Sequence, residues 1–477
     1  MNGNEERDEF FTPAPNGTHT PGAPDSAPMP VSNQKGGAWK KRIIAVCVAI
    51  AVLFTGFGIG WFSRYAALDG RLKTFLWAKD TTVRNYYTPI DEDALYDDMM
   101  AALEKQIDQY SCFYTREEFS VIMSESEGQN AGVGFGILES EADGKTLIQI
   151  GYIVDNSPAQ NAGLKKGMYL FAFGTSENNL QAGTLEDLMA YRFGGTVCVR
   201  CGFRADGSDS KIYNAKASEY LAAYTRYYDS ETSFAFRGEK QLAFTETHEP
   251  VSGLDGNTAV IRLDEFNGNA GSEFELCLKK MKERRRTNLI LDLRSNGGGY
   301  MTTLTSIASH LMRNAEGRNP LVTYAKYRDG SLTHFNADGN DFNTYFSSSS
   351  RVTVLVDEGT ASASECLLGA LVDYGTIDYG DIYVRKNDEV SHSYGKGIMQ
   401  SYFQQGAGGD VMKLTVASVH WPVSGKCIHG VGVTTDDGAI AIESPYVWGE
   451  EDVFLTEVLS RVCSSGQGSP VSASSNE

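Results

Sequence analysis

The sequence is short of positive charge, of histidine, of cysteine and of extended apolar stretches. Lys and Arg number 42 against 61 Asp and Glu, a formal net charge of -19 with a pI near 4.9. Phosphate backbones are bound by basic faces, so this balance argues against a nucleic-acid partner. Beyond that, the acidity serves solubility. The 8 cysteines do not make a disulfide framework in a chain of 477 residues. Cys198 and Cys201 form a CxxC, but TVCVRCGF alternates as a strand does. A strand sends those two thiols to opposite faces, which argues against a metal or redox pair. Of the 7 histidines, His392, His420 and His429 lie in the C-terminal part, and none has a setting that marks it as a catalytic base.

A single stretch, residues 43–62, is uncharged and as long as a bilayer-spanning helix. Lys40, Lys41 and Arg42 precede it and Trp61 sits at its far end, which orients the N-terminus to the cytoplasm and the rest outside. It is long for a signal-peptide core and no clean A-x-A site follows, so an uncleaved anchor is expected. Residues 1 to about 36 and 464–477 are rich in small and polar residues and read as disordered. From Leu68 to about Ser124, Phe75, Val83, Leu95, Met99, Leu103 and Ile107 recur at helical spacing. From about Asn130 short glycine-bearing strands take over, with one helix expected over GTLEDLMAYRFGG. Past about Ala217, strands (NTAVIRLDEF, NLILDLRSNGGG, RVTVLVDEG) alternate with helices (SEFELCLKKMKERR, TLTSIASHLM). That alternation predicts an α/β core with at least partly parallel strands.

Three segments carry candidate chemistry. VTVLVD is a continuous apolar run, hence a strand buried on both faces, and TASASECLLGA follows it. Ser362 stands there at a helix N-terminus, where backbone N–H groups are unpaired and Ala361 and Ala363 keep the approach open. Ser362 or Ser364 with Glu365 also fits ordinary helix capping. LILDLRSNGGG ends a second buried strand in three glycines, which let amides approach a ligand as an oxyanion hole requires, or simply make a tight turn. In an α/β sheet such strand ends gather at one edge. The third segment is SYGKGIMQ. Lys396, between glycines and beside Ile398 and Met399, becomes a base near neutral pH if burial lowers its pKa by roughly 3 units. Gln400 is placed to orient the amine, and a surface lysine in a hairpin is the plainer reading.

Taken together and in order, these segments resemble the carboxy-terminal processing (tail-specific) proteases, serine peptidases of the S41 type. The resemblance runs from about Val83 to Asp437. YYTPIDEDALYDDMMAALEKQIDQYSCFYTREEF is similar to that family's helical lead-in, and AGVGFGI with NSPAQNAGLKKG to its PDZ domain. DLRSNGGG resembles its glycine turn, TASASE its serine motif, GKGIMQ its lysine motif, and LTVASVHWPVSGKCIHGVGVTTDD its closing strand and proline turn. The resemblance implies an α/β (α+β) protease core with a PDZ domain inserted after a helical N-terminal region, behind a single transmembrane helix. The divisions are 1–42 cytoplasmic tail, 43–62 transmembrane helix, 63–128 helical region, 129–205 PDZ domain, 206–463 protease core and 464–477 disordered tail.

By position, the resemblance makes Ser362 the nucleophile, Lys396 the general base and Gln400 its support. The oxyanion hole falls to the N–H of Gly298, or of a neighbouring glycine, and of Ala363. The loop Gly132, Val133, Gly134 and Phe135 receives a substrate carboxylate or extends a peptide as an added strand. It further implies no metal or organic cofactor, extracytoplasmic protein substrates with accessible C-termini, a single-pass cell-membrane location and assembly as a homodimer. Thr360 replaces the motif's first serine, and GMY stands where the PDZ turn has GD. The 34 positions from Ser362 to Lys396 exceed the usual interval, with the excess expected as a loop in DIYVRKNDEVSHS. A catalytically silent PDZ-containing scaffold is the competing reading, against which the joint retention of serine, lysine, glutamine and glycine turn speaks. A Ser/Lys amidase of small amides leaves the PDZ-like segment without purpose.

Overall fold

The computed structural model describes residues 69–463, apart from 128, 143–144, 155–156, 182–194, 239, 244–250, 387–389, 407 and 445–451. Both tails, the apolar stretch 43–62 and the helix expected over residues 183–194 therefore lie outside the described residues. Among the described residues no helix is long and apolar enough to cross a membrane. The chain divides into two compact units, residues 1–96 and 97–477. In the first, helix Gly70–Asn85 starts at Asp69, whose carboxylate accepts from the Arg71 N–H at 3.0 Å, and Lys79 pairs with Glu92 at 2.7 Å. None of this helix's residues is buried, so its apolar positions do not form a core.

In the second unit the centre is a mixed sheet. Strands Thr258–Leu263, Asn288–Asp292, Val352–Val356, Ile382–Lys386 and Ile440–Glu443 run parallel in that order. Thr225–Tyr228, Ser233–Arg237 and Lys240–Ala243 extend it antiparallel beyond Thr258–Leu263. The inner strands Asn288–Asp292 and Val352–Val356 are apolar on both faces because both are covered, as parallel sheets require. Val352–Val356 is buried at every position. Helices Ala270–Glu283, Met301–Ala308 and Ala363–Asp373 supply Phe274, Leu278, Leu304, Ile307, Leu367 and Leu371 to one apolar cluster. Helix Val453–Val462 closes the other face through Phe454, Val458 and Leu459 on Val260, Ile290 and Leu355. The alternating strands and helices expected past residue 217 are thus present.

A second sheet has Val411–His420 at its middle, with Ile398–Gln404 on one side and Cys112–Tyr114 and Leu321–Tyr327 on the other. The strand Cys112–Tyr114 corrects the wholly helical lead-in: CFY is aromatic and apolar, and its ladder partners lie some 300 residues away, beyond the reach of spacing rules. The expected loop over residues 381–393 also needs correction. Its first part is the strand Ile382–Lys386, held between two parallel neighbours. Strands Phe135–Ala142, Lys145–Ile153, Tyr169–Gly174, Thr196–Gly202 and Lys211–Lys216 form a five-stranded antiparallel sheet in that order. The ribbon Gln129–Gly132 with Ser218–Leu221 joins it to the core. Lys211–Lys216, the last strand of this sheet, lies past residue 205. Cys198 and Cys201 sit in Thr196–Gly202 as expected, both buried and unpaired. Burial pushes the Cys201 thiol up to about 12.

Candidate active site

Two loops that leave adjacent parallel strands are tied into one frame. After Asn288–Asp292, Arg294 turns back onto Asp292 at 2.7 and 2.8 Å and reaches Asp452 at 2.7 and 3.0 Å. Burial works against the Asp292 carboxylate, but Arg294 and Arg262 outweigh it and hold the carboxyl at about 2. After Val352–Val356, Asp357 accepts from the Ser295 N–H (2.7 Å) and from Arg385 (2.6 Å). Thr360 donates its hydroxyl to the Leu293 carbonyl at 2.8 Å and accepts from the Asp357 N–H. Its role is to join the loops, which a serine hydroxyl also fits. The Ala361 N–H and Ser364 hydroxyl both donate to the Asn296 carbonyl, at 2.9 and 3.0 Å.

Ser362 sits at the entrance of helix Ala363–Asp373 with φ 60° and ψ -116°. For a residue with a Cβ this costs on the order of 1–3 kcal/mol and persists only where the surroundings enforce it. Gly298, at φ 102°, lies against it: a Cβ there would come within 2.8 Å of the Ser362 Cβ and 2.9 Å of the Ala363 nitrogen. The glycine turn and the serine are therefore in van der Waals contact. The Gly298 N–H donates to Asn296 Oδ1 at 3.0 Å. That of Ala363, in the first helical turn, has no hydrogen-bond partner among the described residues.

Glu365 joins serine to lysine. Its buried carboxylate accepts four hydrogen bonds: from the Ser362 N–H (3.0 Å) and Lys396 N–H (2.9 Å) on Oε2, and from the Ser393 hydroxyl (2.6 Å) and Gly395 N–H (2.8 Å) on Oε1. All four acceptor directions of an ionised carboxylate are thereby used. Burial nonetheless pushes its carboxyl above the ordinary value. In the sequence Glu365 reads only as a helix cap. The pattern S-x-x-E marks the cap, but nothing local shows that the same carboxylate seizes a turn some thirty residues away.

The Lys396 side chain is half-buried, with its Nζ 5.1 Å above the Tyr110 ring, and no hydrogen bond joins it to the Ser362 hydroxyl. Burial, aided by the nearby Lys413 ammonium, lowers its pKa below the ordinary lysine value against the pull of Asp108 and Glu365. Tyr110 donates its hydroxyl to that of Tyr394 at 3.2 Å. It comes from the segment read as helical lead-in, and no sequence signal identified it. Gln400 is not bonded to the lysine. It opposes Thr415 in the ladder and donates its amide to that hydroxyl at 3.0 Å, while the Thr415 N–H donates to Ser111. Nor does any histidine bond Ser362 among the described residues. His420 bridges Ser418 and the Gly425 carbonyl, and His392 approaches the Ser393 carbonyl.

Among the described residues no hydrogen bond joins the loop Gly132–Phe135 to Ser362, Glu365 or Lys396. The Val133 carbonyl accepts from the Ala159 N–H, and the Gly134 carbonyl from the Val154 N–H and Ser157 hydroxyl.

A strained serine at a helix N-terminus, a glycine turn packed on it and a dehydrated lysine held by the same carboxylate make a constellation suited to nucleophilic acyl transfer. Residues 257–438, which hold all of these groups but Tyr110, match Peptidase family S41. The chain is 25% identical over 385 residues to carboxy-terminal processing protease CtpB of Bacillus subtilis, covering 78% of this chain and 68% of that protein. It is 27% identical over 348 residues to the chloroplastic carboxyl-terminal-processing peptidase 3 of Arabidopsis thaliana, covering 72% and 60%. Among solved structures, a putative S41 protease from Bacteroides fragilis aligns over 80% of this chain and 91% of its own, with 15% identity and a TM-score of 0.48.

Proposed function

We propose that the chain is a serine endopeptidase of the carboxy-terminal processing kind, with Ser362 as nucleophile and Lys396 as general base. The observation that carries this reading is the Glu365 carboxylate, which grips the backbone of both residues at once. In the reaction Lys396, neutral and turned off the Tyr110 ring, takes the proton of Ser362 Oγ as that oxygen attacks the peptide carbonyl. The oxyanion is held by the Ala363 N–H and by that of Gly299, or of Gly298 once it leaves Asn296. The lysine returns the proton to the departing amine, and water, deprotonated in turn, hydrolyses the acyl-enzyme. Gln400 supports the base through the Thr415–Ser111 chain rather than by touching it.

The same reading gives residues 129–221 the role of a PDZ domain that presents a substrate's C-terminus from the Gly132–Phe135 loop. It makes residues 43–62 an uncleaved anchor with the catalytic domain outside the cytoplasm. It also pairs two copies through the lead-in segment, where Phe75 and Trp77 of the first helix and Tyr87 just past it are exposed.

Labelling of the full-length protein by a fluorophosphonate tests the assignment of the nucleophile. Stoichiometric labelling of the wild type, lost in Ser362→Ala, is expected. A wild type that never labels overturns the reading in favour of a catalytically silent PDZ-containing binding protein or scaffold.

A further inference from the structure

An open, shallow cavity of about 460 Å³ lies on one face of the second sheet, lined by Lys326, Arg328, Ile398, Thr415, Ser418 and His420 among others. Directly opposed residues of an antiparallel ladder share a face. Ile398, Ser418 and Lys326 thus form one row across three strands, with Gln400 and Thr415 in the next and Tyr402 and Lys413 beyond. Lys413, in the last of these rows, is also the ammonium that acts on Lys396. His420 stacks on Tyr324 at 5.1 Å and forms the cavity's far wall.

The charge of this face runs against that of the molecule. The chain carries a net charge of -19, yet no Asp or Glu lines the cavity. Among the described residues, Lys326, Arg328 and Lys413 form no ion pair. Asp108 and Glu365 are the carboxylates that act on Lys396; the oxygens of Asp108 are occupied by Ser111, Thr415 and backbone N–H groups, and those of Glu365 by its four donors. Unpaired cations in a concave site attract carboxylates, and a guanidinium binds them in a fixed fork.

Building on the protease reading above, we propose that this cavity is a substrate subsite for a carboxylate, with Lys326 and Arg328 as its specificity-determining residues. The carboxylate comes from an acidic side chain near the scissile bond or from the free C-terminus of a short tail being removed. Ile398 and Thr415 connect the subsite to the catalytic lysine: the first lies two residues beyond Lys396, and the second bonds Gln400.

The test uses the full-length protein and a set of four peptides of one neutral sequence. Two carry Glu or Gln at one flanking position, and two end in a free carboxylate or a carboxamide. Values of kcat/KM are compared for wild type and Lys326→Gln/Arg328→Gln at low ionic strength. The carboxylate peptide of at least one pair is expected to be favoured about tenfold, with the preference falling to within about twofold in the double variant. The pair that shows the preference names the source. A ratio within one preparation is independent of how much of the variant is folded. Equal cleavage of both pairs by wild type, or a preference that survives in the double variant, overturns the subsite. No cleavage of any peptide by wild type, with no fluorophosphonate labelling, overturns the protease reading and the subsite with it. Labelling without cleavage of any of the four overturns the subsite alone.

Discussion

Glu365→Gln lowers kcat by about two orders of magnitude while KM stays within about twofold, a loss expected when catalytic groups move by about 1 Å. The carboxylate accepts two donors on each oxygen, three of them backbone N–H groups that cannot turn away. An amide replaces one acceptor oxygen by an NH2 group, which then faces two donors. One pair must part: Ser362 and Lys396 N–H, or Ser393 and Gly395. Either way, the lysine turn slides relative to the serine helix. Losing hydrogen bonds to a buried charge also costs stability, on the order of 1.5–3 kcal/mol each. Steady-state kinetics beside a thermal melt separate the two effects, because a merely structural loss lowers the melting temperature and leaves kcat per folded molecule unchanged. A kcat within about threefold of wild type would show that Glu365 does not position the dyad.

Gly298→Ala is expected to abolish activity outright. The added methyl would stand 2.8 Å from the Ser362 Cβ and 2.9 Å from both the Ala361 carbonyl oxygen and the Ala363 nitrogen, at a φ of 102° that alanine avoids. Two of those three neighbours are backbone atoms of the serine loop, which is pinned by Asn296, Thr360 and Asp357 and has no room to retreat. The turn must open, which withdraws its N–H groups from the oxyanion. Losing one such donor typically costs a hundredfold to a thousandfold in rate. Activity assays on protein shown by circular dichroism to be folded check this. Retention of more than about a tenth of wild-type activity would mean the turn does not serve the reaction.

What was legible in the sequence is what short-range rules reach. The apolar runs of Asn288–Asp292 and Val352–Val356 declared buried parallel strands, and glycine and serine after them declared the loops at their ends. Lys396 was visible because glycines bracket it. What escaped depends on chain segments far apart. Tyr110 covers Lys396 across 286 positions of sequence, and the strand that places it, Cys112–Tyr114, is only three residues long. Gln400 was read as facing the lysine because four residues separate them. The ladder with Val411–His420 instead sets it opposite Thr415. The strand Ile382–Lys386 reads as loop in the sequence because RKND, which carries three charges, follows its short apolar start. Its two parallel neighbours decide the matter.

The central claim is that a dehydrated Lys396 activates Ser362, and the most direct measurement is cleavage of an unfolded protein between pH 6 and 10. The base is active as the neutral amine, and burial lowers its pKa. The rate of the wild type should therefore climb with pH and level off below the range where an ordinary lysine titrates. Ser362→Ala and Lys396→Ala should both be inactive throughout. Activity surviving in Lys396→Ala, with a limb near pH 6.5 as a histidine gives, would contradict the account.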